Sequence, residues 1–200
     1  MKRIGLFGGS FDPVHNAHIA LATTALVQLK LDEVRWIPVG QPWQKTRQLA
    51  DATDREAMVR LAIAGEPRFV LDRSELRRRG PSFTLDTVRE IVAADAGAEW
   101  FLILGQDQYA GLHTWRDWRE LLGLVTLAIA NRPGAALAVN TQIAKVQHQA
   151  MLLPMMDVSS TEVRRRVGAA ESIADLVPDT VARYIGQHRL YLADGSNTRS

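Results

Sequence analysis

The sequence contains no cysteine, and this absence excludes several kinds of site at once. A chain without cysteine has no disulfide framework, no thiol nucleophile and no cysteine-ligated zinc or iron–sulfur centre. Its hydrophobic runs are all shorter than the roughly 20 residues that a membrane-spanning helix needs. Residues 1–3 lead directly into the apolar run at residues 4–7 without the pattern of a signal peptide. These features predict a soluble, cytoplasmic protein with no membrane partner.

Lysine is scarce, so most of the positive charge comes from arginine. The 200 residues carry a formal net charge of only +2, although the pI is about 9.2. Arginine runs at residues 77–79 and 164–166 are candidate nucleic-acid contacts, because guanidinium groups bind phosphate well. The nearly balanced charge and the low aromatic content of 6% favour solvated surfaces instead. We therefore predict no nucleic-acid partner.

Hydrophobic residues make up 46% of the chain, which is enough for one substantial core. Short apolar runs alternate with helical patterns, as is typical of a parallel sheet covered by crossover helices. We predict strands at residues 3–8, 33–39, 68–72, 99–105, 125–130 and 151–154. Helices are predicted at residues 17–29, from about 53, at 84–96, after Trp115, from about 159 and from Pro178. Residues 1–192 are expected to form a single domain, and residues 193–200 a frayed tail.

The densest motif is GLFGGSFDPVHNAHI, residues 5–19, where the first predicted strand ends and the first helix begins. Phosphates bind where the carboxyl end of a parallel strand meets a helix N-terminus. Gly8 and Gly9 allow a ligand to approach the backbone closely. His15 and His18, three residues apart, can reach the same anion. The motif is neither GxGxxG nor GxxxxGK[ST], so it predicts a different phosphate site, with turn glycines and a capping histidine as the purely structural alternative.

A second motif, SSTEVR at residues 159–164, places three hydroxyl groups and an arginine at a helix start. Free backbone N–H groups, hydroxyls and a guanidinium at such a position would bind a triphosphate. The same residues also support a simpler interpretation, because Ser159 and Glu162 form a capping box by themselves.

Taken together, GxFDPxHxxH and the late SSTxxR resemble the nucleotidyltransferases of the His-x-Gly-His superfamily, and within it the bacterial nicotinate-nucleotide adenylyltransferases. Residues 38–45 (PVGQPWQK), 79–87 (RGPSFTLDT) and 131–134 (NRPG) are similar to further segments of that family, in chain order. The resemblance extends over residues 2–192. One departure is Gln44, where many relatives have histidine, and this removes a titratable group beside Lys45.

The resemblance implies an α/β fold, namely a Rossmann-like, doubly wound parallel sheet with a small helical C-terminal part. It also implies that the phosphate of nicotinate mononucleotide attacks ATP, forming nicotinate adenine dinucleotide and pyrophosphate for NAD biosynthesis. The implied catalytic residues are His15, His18 and Lys45. The implied ATP-binding residues are Gly8, Gly9, Ser10, Phe11, Gly105, Asp107, Arg132, Ser159, Ser160, Thr161 and Arg164. Lys45, Thr84, Asp107 and Trp115 are implied for nicotinate mononucleotide. Mg²⁺ is expected on the triphosphate, with no metal ligands from protein side chains.

Three other functions fit parts of the sequence. Phosphopantetheine adenylyltransferases share the first and last motifs, but they typically have threonine at the position of His15 and are shorter. A cytidylyltransferase also stays open, because no local motif fixes the base of the triphosphate. The intact His15 and His18 argue against a non-catalytic nucleotide-binding regulator. The sequence does not decide between a monomer and a homo-oligomer, or between nicotinate and nicotinamide mononucleotide.

Overall fold

A six-stranded parallel sheet forms the centre of the computed structural model, which describes residues 1–42, 49–131, 141–143, 145–153 and 156–192. The strands are β1 (Arg3–Gly9), β2 (Glu33–Pro38), β3 (Gln41–Pro42), β4 (Phe69–Leu71), β5 (Pro81–Ser82), β6 (Glu99–Gly105), β7 (Thr126–Asn131) and β8 (His148–Leu152). The helices are α1 (Asn16–Gln28), α2 (Ala52–Ile63), α3 (Ser74–Arg77), α4 (Thr84–Ala94), α5 (Gln106–Ala110), α6 (Trp118–Leu124), α7 (Ser160–Gly168) and α8 (Asp179–Gln187), with a 3₁₀ turn at Leu112–Thr114.

The order of the strands in the large sheet is β4-β2-β1-β6-β7-β8, and every neighbouring pair is parallel. The chain therefore builds one half of the sheet outward from β1 and the other half outward from β6. Ligands of open α/β sheets bind at the carboxyl ends of the two strands between which the order reverses. Here those ends are Gly9 of β1 and Gly105 of β6. β3 and β5 form a separate two-stranded parallel ladder.

The core consists of two layers because β1 is buried on both faces. Phe7 and Trp36 belong to one layer, which packs against α1, α2, α7 and α8. Leu6 belongs to the other layer, which packs against α4, α5 and α6. Glycine at position 5 lets β1 pack closely, since a Cβ there would lie 2.8 Å from the terminal methyl groups of both Ile103 and Leu31, which would have to shift. Apolar residues on both faces are what a parallel sheet covered by helices requires.

The predicted α/β fold is confirmed, including the helical C-terminal part that α7 and α8 form. The last predicted strand is wrong in its bounds: β8 begins at His148 and ends at Leu152, and position 154 lies outside the described residues. The short elements β3, β5, α3 and α5 were not predicted, because two to five residues carry too little periodicity to recognise. The predicted tail at residues 193–200 also lies outside the described part of the chain. Within the described ranges, no helix is long and apolar enough to span a membrane.

Candidate active site

Gly8 and Gly9 end β1 and lead into the β1–α1 loop. Open space lies beside Gly8, whereas the Phe11 ring packs against Gly9. A Cβ on Gly8 would meet no atom within 4 Å, whereas one on Gly9 would lie 2.9 Å from the Phe11 ring. Phe11 adopts a left-handed φ of 46°. Its fully buried ring packs edge-on against Phe7 with a centroid distance of 5.4 Å. The Phe11 side chain is therefore part of the core and is not placed to contact a ligand.

His15 and His18 lie side by side at the start of α1. Their rings stack with centroids 3.7 Å apart and an interplanar angle of 24°. The backbone N–H of His15, the N-cap residue, donates to Nδ1 of His18 at 3.2 Å. An imidazole nitrogen that accepts a hydrogen bond carries no proton, so the proton of His18 is on Nε2. With Nδ1 accepting this hydrogen bond, Nε2 is the donor of the His18 ring.

Burial holds His15 neutral at physiological pH. The residue is 6% exposed, and desolvation lowers its pKa from 6.5 to about 4. Its Nδ1 is buried and has no hydrogen-bond partner among the described residues. A buried polar atom without a partner costs about 1–3 kcal/mol. Such an unsatisfied nitrogen is typical of a functional position.

Arg55 on α2 connects the loops that surround the glycines. Its guanidinium group is almost fully buried, and each of its hydrogen bonds in the structure ends on a backbone carbonyl. The accepting carbonyls belong to Ser10 at 3.1 Å, Val39 at 2.7 Å, Gly40 at 3.4 Å and Ala50 at 3.0 Å. Burial lowers the pKa of Arg55, and the nearby carboxylates of Asp12 and Asp51 oppose that effect. Sequence reasoning missed this role, because arginine in a helical pattern is usually exposed.

The SSTEVR motif lies against the β1–α1 loop. Ser160 donates from Oγ to the carbonyl of Pro13 at 2.9 Å, across 147 positions of sequence. Arg164 donates to the carbonyl of Asp12 at 2.7 Å and to Oγ1 of Thr161 at 3.2 Å. Ser159 caps α7 by accepting the N–H of Glu162 at 3.1 Å. The two motifs therefore meet in space, and capping explains the position of Ser159 without a ligand.

A pocket of about 170 Å³ begins beside Gly8, Gly9 and Ser10 and extends to the start of α4. Apolar residues of β2 and β6, together with Val39 after β2, form one wall of the pocket. The aromatic rings of Phe83 and Trp115 also line the pocket. Thr84 lines it as the first residue of α4, after an N-cap phenylalanine that has no side-chain acceptor. The first amides of that helix are available to an anion. The pocket is therefore lined both by residues that the resemblance implied for ATP, at positions 8–10, and by residues that it implied for nicotinate mononucleotide, Thr84 and Trp115.

Two charged side chains of the pocket were not predicted. The Arg116 guanidinium lies 4.8 Å from the centroid of the Phe83 ring and 3.6 Å from the Asp86 carboxylate. Glu75 is buried and accepts a hydrogen bond from Thr87 Oγ1 at 2.9 Å. Desolvation raises the pKa of Glu75, although the hydrogen bond from Thr87 acts in the opposite direction. No local pattern reveals these residues, since charged residues in helical segments are normally solvent-exposed.

The arginine runs are largely engaged in intramolecular contacts. Arg78 contacts Thr87 and Glu90, both at 2.7 Å. Arg165 and Arg166 both pair with Glu162, and Arg165 also pairs with Glu171. Exposed pairs of this kind contribute little to stability. They do neutralise much of the charge that had suggested a nucleic-acid surface.

Several predicted site residues stand apart from the pocket or outside the described ranges. Gly105 ends β6, and Asp107 is exposed in the first turn of α5; neither lines the pocket. Lys45 and Arg132 fall within residues 43–48 and 132–140, which the structure does not describe. In the described part of the chain, no group of three or more His, Asp or Glu side chains is arranged to hold a metal ion.

Comparisons with known proteins find a matching family, similar proteins and a similar fold. A family described as cytidylyltransferase-like matches residues 6–166. The probable nicotinate-nucleotide adenylyltransferase of Methylibium petroleiphilum is 52% identical over 196 residues, which cover 95% of this chain and 92% of that protein. The protein of the same name from Albidiferax ferrireducens is 48% identical over 195 residues, with 96% and 98% covered. The solved structure of Plasmodium falciparum nicotinic acid mononucleotide adenylyltransferase complexed with NaAD shares the fold, with a TM-score of 0.76, 20% identity and 96% and 98% coverage.

Proposed function

Because the chain belongs to the cytidylyltransferase-like family, and within it to the nicotinate-nucleotide adenylyltransferases, we propose that it transfers the adenylyl group of ATP to nicotinate mononucleotide. The products are nicotinate adenine dinucleotide and pyrophosphate, in NAD biosynthesis. The stacked His15–His18 pair at the start of α1, beside the open Gly8 and an aromatic-walled pocket, is the observation that supports this reaction most directly. The identities to the relatives favour it over phosphopantetheine or cytidylyl transfer and over a non-catalytic regulator.

The reaction needs little acid–base catalysis. A phosphate oxygen of the mononucleotide attacks the α-phosphorus of ATP in line, a new P–O bond forms, and the bond to the bridging oxygen breaks, so that its electron pair leaves with pyrophosphate. The attacking phosphate is already ionised at pH 7, so no strong base is required. Catalysis then consists of positioning two polyanions and stabilising the charge that moves onto the leaving group. A neutral His15 is compatible with this mechanism, because the residue would form hydrogen bonds and would not need to transfer a proton.

The phosphates of ATP are proposed to lie at the N-terminus of α1. There, His18 can donate from Nε2, and His15 can form hydrogen bonds through its ring. The backbone at Gly8, Gly9, Ser10 and Phe11 is also proposed to contact the triphosphate, and at Gly8 the space that a Cβ would occupy is open. The remaining proposed contacts to ATP are Gly105, Asp107, Arg132, Ser159, Ser160, Thr161 and Arg164. Lys45 is proposed to neutralise phosphate charge between the two substrates.

The pyridine ring of nicotinate mononucleotide is proposed to occupy the aromatic-walled pocket. A flat, cationic ring stacks well on an indole, and Trp115 lines this pocket. The carboxylate of the ring would meet the uncapped N-terminus of α4 at Thr84, with the Arg116 cation nearby. Both features favour an acid over a neutral amide. Asp107 is proposed to contact the ribose or phosphate of this substrate.

A divalent metal accompanies ATP in this type of reaction, and we propose that it is Mg²⁺. We expect the ion to be held mainly by phosphate oxygens and water rather than by protein side chains. When bound, the ion would neutralise part of the charge of the triphosphate. We also propose a cytoplasmic location, where ATP is available.

Pyrophosphate release tests the proposal. Mg²⁺-ATP is supplied with nicotinate mononucleotide, nicotinamide mononucleotide or phosphopantetheine, each at the same concentration. We expect rapid release with nicotinate mononucleotide and much slower release with the amide. Release with phosphopantetheine alone would assign the protein to coenzyme A synthesis instead. Absence of release with all three acceptors would overturn the proposal.

A further inference from the structure

We propose that Tyr191, in the segment that follows α8, is a positioning residue for the β1–α1 loop of the active site and acts through Asp12. The Tyr191 hydroxyl donates to Oδ1 of Asp12 at 2.7 Å, across 179 positions of sequence. Asp12 is fully buried and lies in the same loop as Ser10 and His15. The inference rests on the proposed function, because it assigns to Tyr191 a part in the turnover of that site.

Asp12 is where three distant segments meet the loop. Its Oδ1 also accepts the N–H of Ala50, just before α2, at 3.2 Å. Its backbone carbonyl accepts from Arg164 of α7 at 2.7 Å. A buried carboxylate is unfavourable unless donors surround it, and hydrogen bonds to an ionised oxygen are among the stronger ones. Loss of the Tyr191 hydroxyl would therefore weaken the support of a loop that also carries His15.

Tyr191 itself adopts an unusual backbone conformation. Its φ of 63° lies in the left-handed region that residues with a Cβ avoid, whereas the φ of 52° at Arg189 is the ordinary left-handed end of α8. Such conformations persist only where the surrounding structure enforces them, and they cluster at functional positions. The Tyr191 ring also packs against the core layer formed with α1, α2, α7 and α8. The ring and the hydroxyl can therefore be tested separately, because Tyr191→Phe removes only the oxygen.

Tyr184 provides a matched control on α8. Its hydroxyl donates to Oδ1 of Asp54 at 2.8 Å, so it also forms a Tyr–Asp hydrogen bond from the C-terminal part of the chain, in this case to α2. Asp54 lies on α2 rather than in the β1–α1 loop, and it does not line the pocket. Tyr184→Phe and Tyr191→Phe thus remove equivalent bonds, of which only one ends on the loop that carries the histidines.

The test compares both variants with the wild type in turnover, stability and amide hydrogen exchange. We expect Tyr191→Phe to lower kcat by about tenfold or more, which corresponds to an increase of about 1.4 kcal/mol in the activation barrier. Tyr184→Phe should leave kcat within about twofold of the wild type, although urea unfolding should show that both variants are less stable than the wild type. Mass spectrometry should show faster amide exchange over residues 8–15 in Tyr191→Phe but not in Tyr184→Phe.

Equal kcat values and equal exchange over residues 8–15 in the two variants would overturn the proposal. An equal loss of kcat in both would do the same, because it would indicate only that the C-terminal part must dock. If the wild type releases no pyrophosphate with any acceptor, the proposed function fails. In that case the exchange comparison still decides whether Tyr191 supports the loop.

Discussion

His15 should make the folded protein sensitive to mild acid, and replacing it with asparagine should reduce that sensitivity. Burial lowers the pKa of His15 from 6.5 to about 4, so the folded state keeps the ring neutral while the unfolded chain binds a proton. The unfolded state thus gains protons as the pH falls below 6.5, and stability is lost between there and about pH 4. Above this window His15 contributes no pH dependence.

The size of this loss of stability in acid follows from the lowered pKa of His15. One pKa unit corresponds to about 1.36 kcal/mol, so lowering the pH from about 8 to about 5 should cost about 2 kcal/mol of unfolding free energy through His15 alone. Urea unfolding of the wild type and of His15→Asn at both pH values measures it. All other titrating groups are shared by the two proteins, so their contributions largely cancel in the difference. We expect the wild type to lose about 2 kcal/mol more than the variant.

The result that would refute this reasoning is an equal loss of stability in both proteins. It would mean that folding does not hold the His15 ring neutral, so desolvation would not govern its charge. A second, direct measurement is NMR titration of the ring Cε1–H signal in the folded wild type. Its midpoint should lie near 4. A midpoint near 6.5 would contradict the same reasoning at the level of the single residue.

Three further predictions concern the site. His15→Ala should lower kcat by orders of magnitude in a folded protein, as circular dichroism can verify, and near-normal turnover would refute its catalytic role. Gly8→Ala should raise the KM for ATP without loss of stability, because its Cβ meets nothing within 4 Å. By contrast, Gly40→Ala should lower the free energy of unfolding in urea by roughly 3 kcal/mol or more, because its Cβ would lie 2.2 Å from the Glu75 carbonyl oxygen. Ser159→Ala should cost about 1 kcal/mol of stability as a lost cap; an unchanged KM for ATP in that variant would favour capping over triphosphate binding.

Features that are local in the chain were predictable from the sequence. The strands β1, β6 and β7 contain continuous apolar runs, and the order of the elements predicted a parallel sheet with crossover helices. The first motif predicted a phosphate site at the end of β1, because a strand end, small residues and a helix start follow one another within 15 residues or so, and this assignment stays a prediction. The identity of the family was also accessible, since its motifs are contiguous segments.

Only the tertiary structure decided which distant residues meet. Arg55, Arg164 and Tyr191 all support the β1–α1 loop, yet none of these contacts has a periodicity or spacing by which it could be recognised. The neutral state of His15 likewise depends on burial by the whole fold rather than on its neighbours in sequence. Sequence patterns report local propensity and the faces of helices and strands. Desolvation and long-range hydrogen bonds exist only once the chain has folded, so the support of the loop and the charge of its histidine are properties of the tertiary structure.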